Sequence, residues 1–217
     1  MADWKLAAPE STAYKAGYDL ADVAHGALEQ DGDVNGYRFT GGRLWDDGGK
    51  TLEFSNCVFE RCTFGELDVG RMSFVDCVFD KCELSNLRIT NAAFQRVSFR
   101  SCRMTGMECL RCVLMSVLFE ECMMDYLSLS ETKLDRVQFT DCRLRESLWA
   151  DVKLPKVRFE RADLSRAQWM RTPLSGVNLS SCIISGWNIT LFDLRGAKVT
   201  AAQVIELSGL LGVEIVS

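Results

Sequence analysis

The chain has 217 residues, 47% of them hydrophobic and 25% charged, with ten cysteines and a formal net charge of −5. It is too apolar for a disordered chain, and no uncharged apolar run approaches the length of a membrane-spanning helix. Because no basic stretch leads into an apolar one at the N-terminus, we expect no secretory signal and a cytoplasmic protein without structural disulfides. The negative charge argues against direct binding of nucleic acid.

Residues 1–34 precede the regular part of the sequence and are predicted to form an N-terminal extension that caps it. One side of an amphipathic helix would carry the apolar residues at helical spacing, Tyr14, Tyr18, Ala21 and Leu28. The same segment can also be divided into five-residue units that are out of phase with those that follow. We favour the helix, and the only histidine, His25, is then an exposed or capping residue.

A five-residue repeat dominates residues 35–199. Every fifth residue from Phe39 to Val199, 33 positions in all, is apolar except Gly49. A second row, two residues earlier, is small or apolar almost throughout, and the other three positions are mostly polar. A period of five with two inward positions fits neither a 3.6-residue helix nor a two-residue strand. It requires a chain that turns a corner every five residues.

The same residue types recur every 20 positions, so four five-residue units are predicted to complete one square turn. Phenylalanine occupies seven such positions in succession from Phe39 to Phe159. Stacked coils would align these rings into a ladder in which each coil contacts only its neighbours. The sequence therefore predicts an all-β solenoid, a quadrilateral β-helix of about eight 20-residue coils.

Nine of the ten cysteines fall on the inward small position of the repeat, and we interpret them as small apolar core residues. They are Cys57, Cys62, Cys77, Cys82, Cys102, Cys112, Cys122, Cys142 and Cys182, while Cys109 takes a central position. Zinc sites commonly use pairs of cysteines with two to four residues between them that converge on the metal, whereas stacked parallel side chains converge poorly. We therefore predict no metal, no cofactor and, because a filled solenoid has no cleft for convergent catalytic groups, no enzyme.

Six apolar residues take outward positions at which the repeat normally has Ser, Asp or Arg. They lie within seventeen residues of the sequence and are Leu110, Val113, Met115, Leu118, Met123 and Tyr126. Isolated exposed apolar residues carry little meaning, but adjacent faces could join these six into one patch. They form the predicted partner-binding patch.

Residues 200–217 are predicted to cap the last coil. Thr200 and Gln203 have the spacing of a capping box and open a helix through Leu211 that Gly212 can end; residues 213–216 have the pattern of a short strand. One interpretation is that this segment only caps the last coil. It has more apolar residues than a cap requires, so we favour a homodimer interface. Its predicted residues are Val204, Ile205, Leu207, Leu210, Leu211, Val213 and Ile215.

The segments 54–64 and 161–165 resemble the pentapeptide-repeat proteins, whose consensus is A/C-D/N-L/F-x-x. The resemblance covers about residues 36–199 and implies a right-handed quadrilateral β-helix. Residues 194–197, with the helix and the Leu-Gly-Val-Glu-Ile segment that follow, resemble the C-terminal end of the quinolone-resistance (Qnr) proteins and their mycobacterial relatives. That second resemblance implies a homodimer through the C-terminus and DNA gyrase or topoisomerase IV as the partner.

The charge distribution disfavours the imitation of duplex DNA that the Qnr resemblance implies. The net charge is −5 in residues 1–34, +2 in residues 35–199 and −2 in residues 200–217. No face of the predicted solenoid carries a single-sign row that would imitate a phosphate backbone. We expect a non-enzymatic protein-binding solenoid that modulates or protects a type II topoisomerase. The alternative is a structural scaffold or interaction module with an unrelated protein partner.

Overall fold

The computed structural model describes residues 14–29, 32–44, 51–65 and 71–212. These residues form a parallel β-solenoid of about seven turns, close to the eight coils predicted. Almost every strand pairing joins a residue to the one 20 positions later, as in Phe59 with Phe79 and Phe79 with Phe99. The 20-residue period of the sequence is therefore the length of one coil.

The strands are short because the chain turns a corner every five residues. In chain order they are β1 (Lys15–Ala16), β2 (Asp33–Asn35), β3 (Tyr37–Thr40), β4 (Arg43–Leu44), β5 (Thr51–Ser55), β6 (Val58–Glu60), β7 (Thr63–Phe64), β8 (Arg71–Val75), β9 (Val78–Asp80), β10 (Arg88–Thr90), β11 (Ala93–Arg100), β12 (Glu108–Leu110), β13 (Val113–Glu120), β14 (Ser128–Ser130), β15 (Lys133–Thr140), β16 (Leu148–Ala150), β17 (Lys153–Glu160) and β18 (Gln168–Met170).

Parallel pairing between successive coils arranges the strands of the described residues into three sheets. The largest has eleven strands, covers two adjacent faces of the solenoid and ends at β17. A five-stranded sheet, β10-β12-β14-β16-β18, forms a further face, and β4 pairs with β7. We refer to the surface of the eleven-stranded sheet as the broad face.

The two inward positions of each unit fill the interior with side-chain ladders. The phenylalanine rings stack coil on coil, with centroids 4.6 Å apart for Phe59 and Phe79 and 4.9 Å apart for Phe119 and Phe139. On the five-stranded sheet, Trp149 stacks on Trp169 at 4.6 Å. Because offset-stacked aromatic pairs add to the energy of burial, each coil stabilises the next.

One coil departs from the regular register. Lys133 pairs with Lys153, but Asp135 pairs with Lys156, so the pairing slips by one residue at Pro155. Proline lacks a backbone N–H and fixes φ, and Lys156 lacks the positive φ that this corner has in earlier coils, as at Arg136 (φ 55°). No backbone hydrogen bond joins residues 153–160 to residues 173–180, both of which are described. The eleven-stranded sheet therefore ends here.

The N-terminal segment forms a short strand and then a helix. Strand β1 pairs with β3, and helix α1 (Leu20–Leu28) follows it. The carboxylate of Asp19 caps the helix by accepting hydrogen bonds from the N–H groups of Ala21 and Asp22. Leu20 is almost completely buried against the solenoid core, so α1 covers apolar side chains at this end.

Two further helices follow the strands, α2 (Leu191–Leu194) and α3 (Ala201–Leu207), and a 3-10 turn spans Ser208–Leu211. Thr200 and Gln203 form the predicted capping box, and Gly212 ends the helical segment with φ 66°. The strand predicted over residues 213–216 lies outside the described residues. Within the described part of the chain, no helix is long and apolar enough to span a membrane.

Candidate protein-binding surfaces

The six residues of the predicted partner-binding patch lie around one coil, not on one face. Val113, Met115 and Leu118 lie on β13 of the broad face, and Leu110 lies on β12 of the five-stranded sheet. The remaining two, Met123 and Tyr126, follow the next corner. Met123 forms isolated β-bridges with Arg103 and Arg143, and Tyr126 has a positive φ. Seventeen residues are most of a 20-residue turn, so a cluster of this length in the sequence wraps around the solenoid. The structure places three of the six on the eleven-stranded sheet.

Neighbouring coils extend these three residues into a larger apolar surface. Val75 pairs with Gln95 and Gln95 with Met115, so the two apolar side chains lie in one row, two coils apart. Val78 and Leu118 lie in a second row with Ser98 between them. We call the group formed by Val75, Val78, Val113, Met115 and Leu118 the apolar strip. Sequence reasoning missed the two valines, although their spacing of 40 residues from Met115 and Leu118 identifies them.

Polar residues lie between the members of the strip. The guanidinium of Arg96 donates two hydrogen bonds to the carboxylate of Asp76, at 2.5 and 2.6 Å. The hydroxyl of Ser98 is buried and has no hydrogen-bond partner among the described residues. Val113 is 42% exposed, and the other four members of the strip are at least partly accessible. The strip is thus an accessible group of apolar side chains with polar residues between them.

Ion pairs between successive coils neutralise many charges on the outer faces. Arg161 and Arg171 each donate two hydrogen bonds to the aspartate 20 residues earlier, Asp141 and Asp151. The arginine beside each carboxyl lowers its pKa below the ordinary value. Each pair joins opposite charges from successive coils, which agrees with the mixed charge that the sequence predicted.

The predicted dimer-interface residues divide into two groups. Leu207 is buried and Leu210 is half-buried, and both pack against the core of their own chain. Val204 and Ile205 are 52% and 61% exposed. The side chain of Leu211 lies outside the described part of the structure, as do Val213 and Ile215. The helix α3 therefore caps the solenoid with one side and presents two apolar residues on another.

Gln203 has a second role that the capping-box pattern did not indicate. Its side-chain amide donates hydrogen bonds to the carbonyl oxygens of Leu179 and Cys182, each at 2.8 Å. Its side-chain oxygen accepts a hydrogen bond from the N–H of Thr200 at 2.8 Å. These carbonyls belong to the last complete coil, so the Gln203 side chain replaces the backbone donors that a further coil would supply.

All ten cysteines are buried and free, as expected for core residues. In the ladder the thiols also act as hydrogen-bond donors: the sulfur of Cys122 lies 3.5 Å from the carbonyl oxygen of Phe99, in the preceding coil. Burial raises the pKa of the Cys77 and Cys182 thiols, which disfavours the reactive thiolate. The described residues contain no group of three or more His, Cys, Asp or Glu side chains placed to hold a metal ion.

Several solved structures resemble the chain. Among them are a trypsin-treated QnrB1, "a plasmid-mediated fluoroquinolone resistance protein", and HetL from Nostoc sp. strain PCC 7120, "a Pentapeptide Repeat Protein involved in Heterocyst Differentiation Regulation". QnrB1 is 14% identical over 85% of this chain and 99% of its own, with a TM-score of 0.41. HetL is 16% identical over 76% of this chain and 84% of its own, with a TM-score of 0.38.

Likeness at this level carries no argument about a partner. No curated protein matches the sequence. The family model for the pentapeptide repeat region, however, matches residues 52–122 and 92–169, which together are more than half of the chain. The chain therefore belongs to the pentapeptide-repeat family.

Proposed function

We propose that the chain is a non-enzymatic, protein-binding solenoid that docks on a type II topoisomerase, DNA gyrase or topoisomerase IV, and modulates or protects it. The observation that carries protein binding is the apolar strip on the broad face. Protein interfaces combine buried apolar side chains with hydrogen-bonding polar ones, and the strip places accessible apolar side chains beside an ion pair. The topoisomerase as partner rests on the resemblance of residues 194–197 and the following helix to the C-terminal end of the Qnr proteins.

The strip has the dimensions of an interface centre, not of a whole interface. Val75 and Met115 lie two coils apart, about 10 Å at the usual spacing of paired strands. A stable interface buries about 800 Å² on each partner, and a few central residues supply most of its energy. In this proposal the strip is that centre, and the paired charges around it form the rim.

The proposal also includes a homodimer formed by the exposed side of α3. Val204 and Ile205 are apolar, adjacent and more than half exposed, and a two-fold axis would bring the same residues of two copies together. A dimer carries two apolar strips, so a partner with two equivalent subunits is bound with avidity. The dimer and a partner with two equivalent binding sites therefore belong to one proposal.

The test is a gyrase supercoiling assay with and without a fluoroquinolone. We expect the wild-type chain to restore or alter supercoiling at micromolar concentration, and Met115→Glu with Leu118→Glu to require at least tenfold more protein. Leu110→Glu is the matched control because it is an outward leucine of the same coil on another face, and we expect it to act like the wild type. No effect of the wild-type chain on either enzyme would contradict the proposed partner.

A scaffold module with an unrelated protein partner is the second candidate. The observation that favours it is the mixed, paired charge of the solenoid, which supplies no imitation of DNA that would select a topoisomerase. A pull-down with wild-type bait and with the Met115→Glu, Leu118→Glu variant separates the two candidates. Recovery of a protein other than gyrase or topoisomerase IV by the wild-type bait only would favour the scaffold.

A further inference from the structure

Phe192 breaks the burial pattern of its row. Seven residues precede it at the same inward position of successive coils, and all are at most 2% exposed: Leu52, Met72, Ala92, Cys112, Thr132, Val152 and Thr172. Phe192 is 78% exposed. The chain forms the helical turn α2 here in place of the usual extended unit, and this turn exchanges the positions of two side chains. Phe192 points outward, and Asp193, at a normally outward position, is only 2% exposed.

Only one of the two oxygens of the buried Asp193 carboxylate has a hydrogen-bond partner among the described residues. Its Oδ2 accepts a hydrogen bond from the hydroxyl of Thr190 at 2.9 Å, and its backbone N–H donates to that hydroxyl at 3.0 Å. Its Oδ1 is buried and has no partner among the described residues. An unsatisfied buried carboxylate oxygen is costly and uncommon in folded proteins. A hydrogen-bond donor from outside the chain would remove that cost.

Asp193 lines an open groove between the last coils together with apolar and polar residues. Its apolar members include Met170, which is 45% exposed, Pro173 and Phe192, and we call these three the apolar wall. Gln168 and Asn188, which pair across adjacent coils, also line the groove. Arg171 also lines the groove, but its guanidinium donates to Asp151 at 2.7 and 2.6 Å.

We infer that this groove binds a Lys or Arg side chain of a protein partner, with an apolar partner residue against Phe192 and Met170. The charged N–H group supplies the donor that Oδ1 of Asp193 lacks, and a charge-assisted hydrogen bond is stronger than a neutral one. The long aliphatic stem packs along the apolar wall, and the exposed ring of Phe192 attracts the cation. The inference rests on the proposal that the chain binds a protein, but not on a topoisomerase or on the apolar strip.

The test uses a short acetylated, amidated peptide, Gly-Leu-Lys-Leu-Gly, and the analogue with norleucine in place of the lysine. Binding is followed by NMR of the methyl groups of Met170 and Ile189, which line the groove. We expect saturable shifts with the lysine peptide at millimolar concentration, at least tenfold weaker binding of the norleucine peptide, and a similar loss in Asp193→Asn. An equal response to both peptides, or unchanged binding by Asp193→Asn, would overturn the inference.

A second variant keeps the test decisive if Asp193→Asn disturbs folding. Phe192→Ala alters an exposed side chain, so we expect it to fold normally and to bind the lysine peptide several-fold more weakly. Ile183→Ala is the matched control because Ile183 is 55% exposed and does not line the groove. A Phe192→Ala variant that loses peptide binding but acts like the wild type in the supercoiling assay would show that the groove and the apolar strip work independently. Failure of one proposal is then distinguishable from failure of the other. Equal peptide binding by Phe192→Ala and the wild type would also count against the groove.

Discussion

Cys122 and Thr172 occupy equivalent inward positions although one residue is usually classed as apolar and the other as polar. The sulfur of Cys122 lies 3.5 Å from the carbonyl oxygen of Phe99, 23 residues earlier. The hydroxyl oxygen of Thr172 lies 3.2 Å from the carbonyl oxygen of Trp149, again 23 residues earlier. Both are small side chains with one hydrogen-bond donor, a thiol or a hydroxyl, within reach of a carbonyl oxygen in the preceding coil. A hydroxyl can therefore replace a thiol at this position, so the cysteine is not needed for sulfur chemistry.

This equivalence predicts how a ladder cysteine can be replaced. We expect Cys122→Thr to change the free energy of unfolding by less than about 1 kcal/mol, because volume and donor are nearly retained. Cys122→Leu should destabilise by about 1–3 kcal/mol, because the interior is close-packed and has no room for the added atoms. Urea unfolding followed by circular dichroism measures both. Equal stability of the two variants would show that volume does not limit the ladder.

At the scale of an element, helix α3 completes the hydrogen bonding of the last coil through Gln203. The substitution Gln203→Glu keeps the acceptor for the N–H of Thr200 but replaces the amide donor by a carboxylate facing the carbonyls of Leu179 and Cys182. We expect a loss of about 1–3 kcal/mol, since the carbonyl of Cys182 loses its donor and that of Leu179 keeps only the N–H of Cys182. Hydrogen exchange of the last coil and the thermal midpoint report the effect. Glu206→Gln, exposed on the same helix, is the control and should leave both unchanged.

The elements also show where sequence reasoning succeeds and where it ends. The fivefold register fixed the ladders, the coil length and the capping box at Thr200, because each depends on residue types at constant spacing. The register slip at Pro155 and the exchange of Phe192 with Asp193 depend on local backbone geometry that the spacing does not encode. The six residues of the predicted partner-binding patch lie on different faces because neighbours in sequence follow the chain around the coil. The apolar strip is recognised only when residues 40 positions apart are compared.

At the scale of the whole molecule, the solenoid is a stack in which interactions between neighbouring coils supply the stability. The same arrangement pairs outer charges between coils, as Arg161 with Asp141 and Arg171 with Asp151. Such exposed pairs contribute little to stability, but they leave the sides of the stack without a field of one sign. In our proposals, binding therefore depends on local features, namely the apolar strip, the exposed side of α3 and the groove at Asp193.

The exposed side of α3 leads to a prediction about the oligomeric state. We expect the wild-type chain to be a dimer by light scattering, and Ile205→Asp to dissociate at least tenfold more readily because a charge in an apolar contact is not compensated. Leu207→Asp is unsuited to this test, since Leu207 is buried in its own chain and its loss would disrupt the cap. Val113→Asp, exposed on the broad face, is the matched control and should remain dimeric. A wild-type monomer at high concentration, or a dimer unaffected by Ile205→Asp, would place the function of α3 in capping alone.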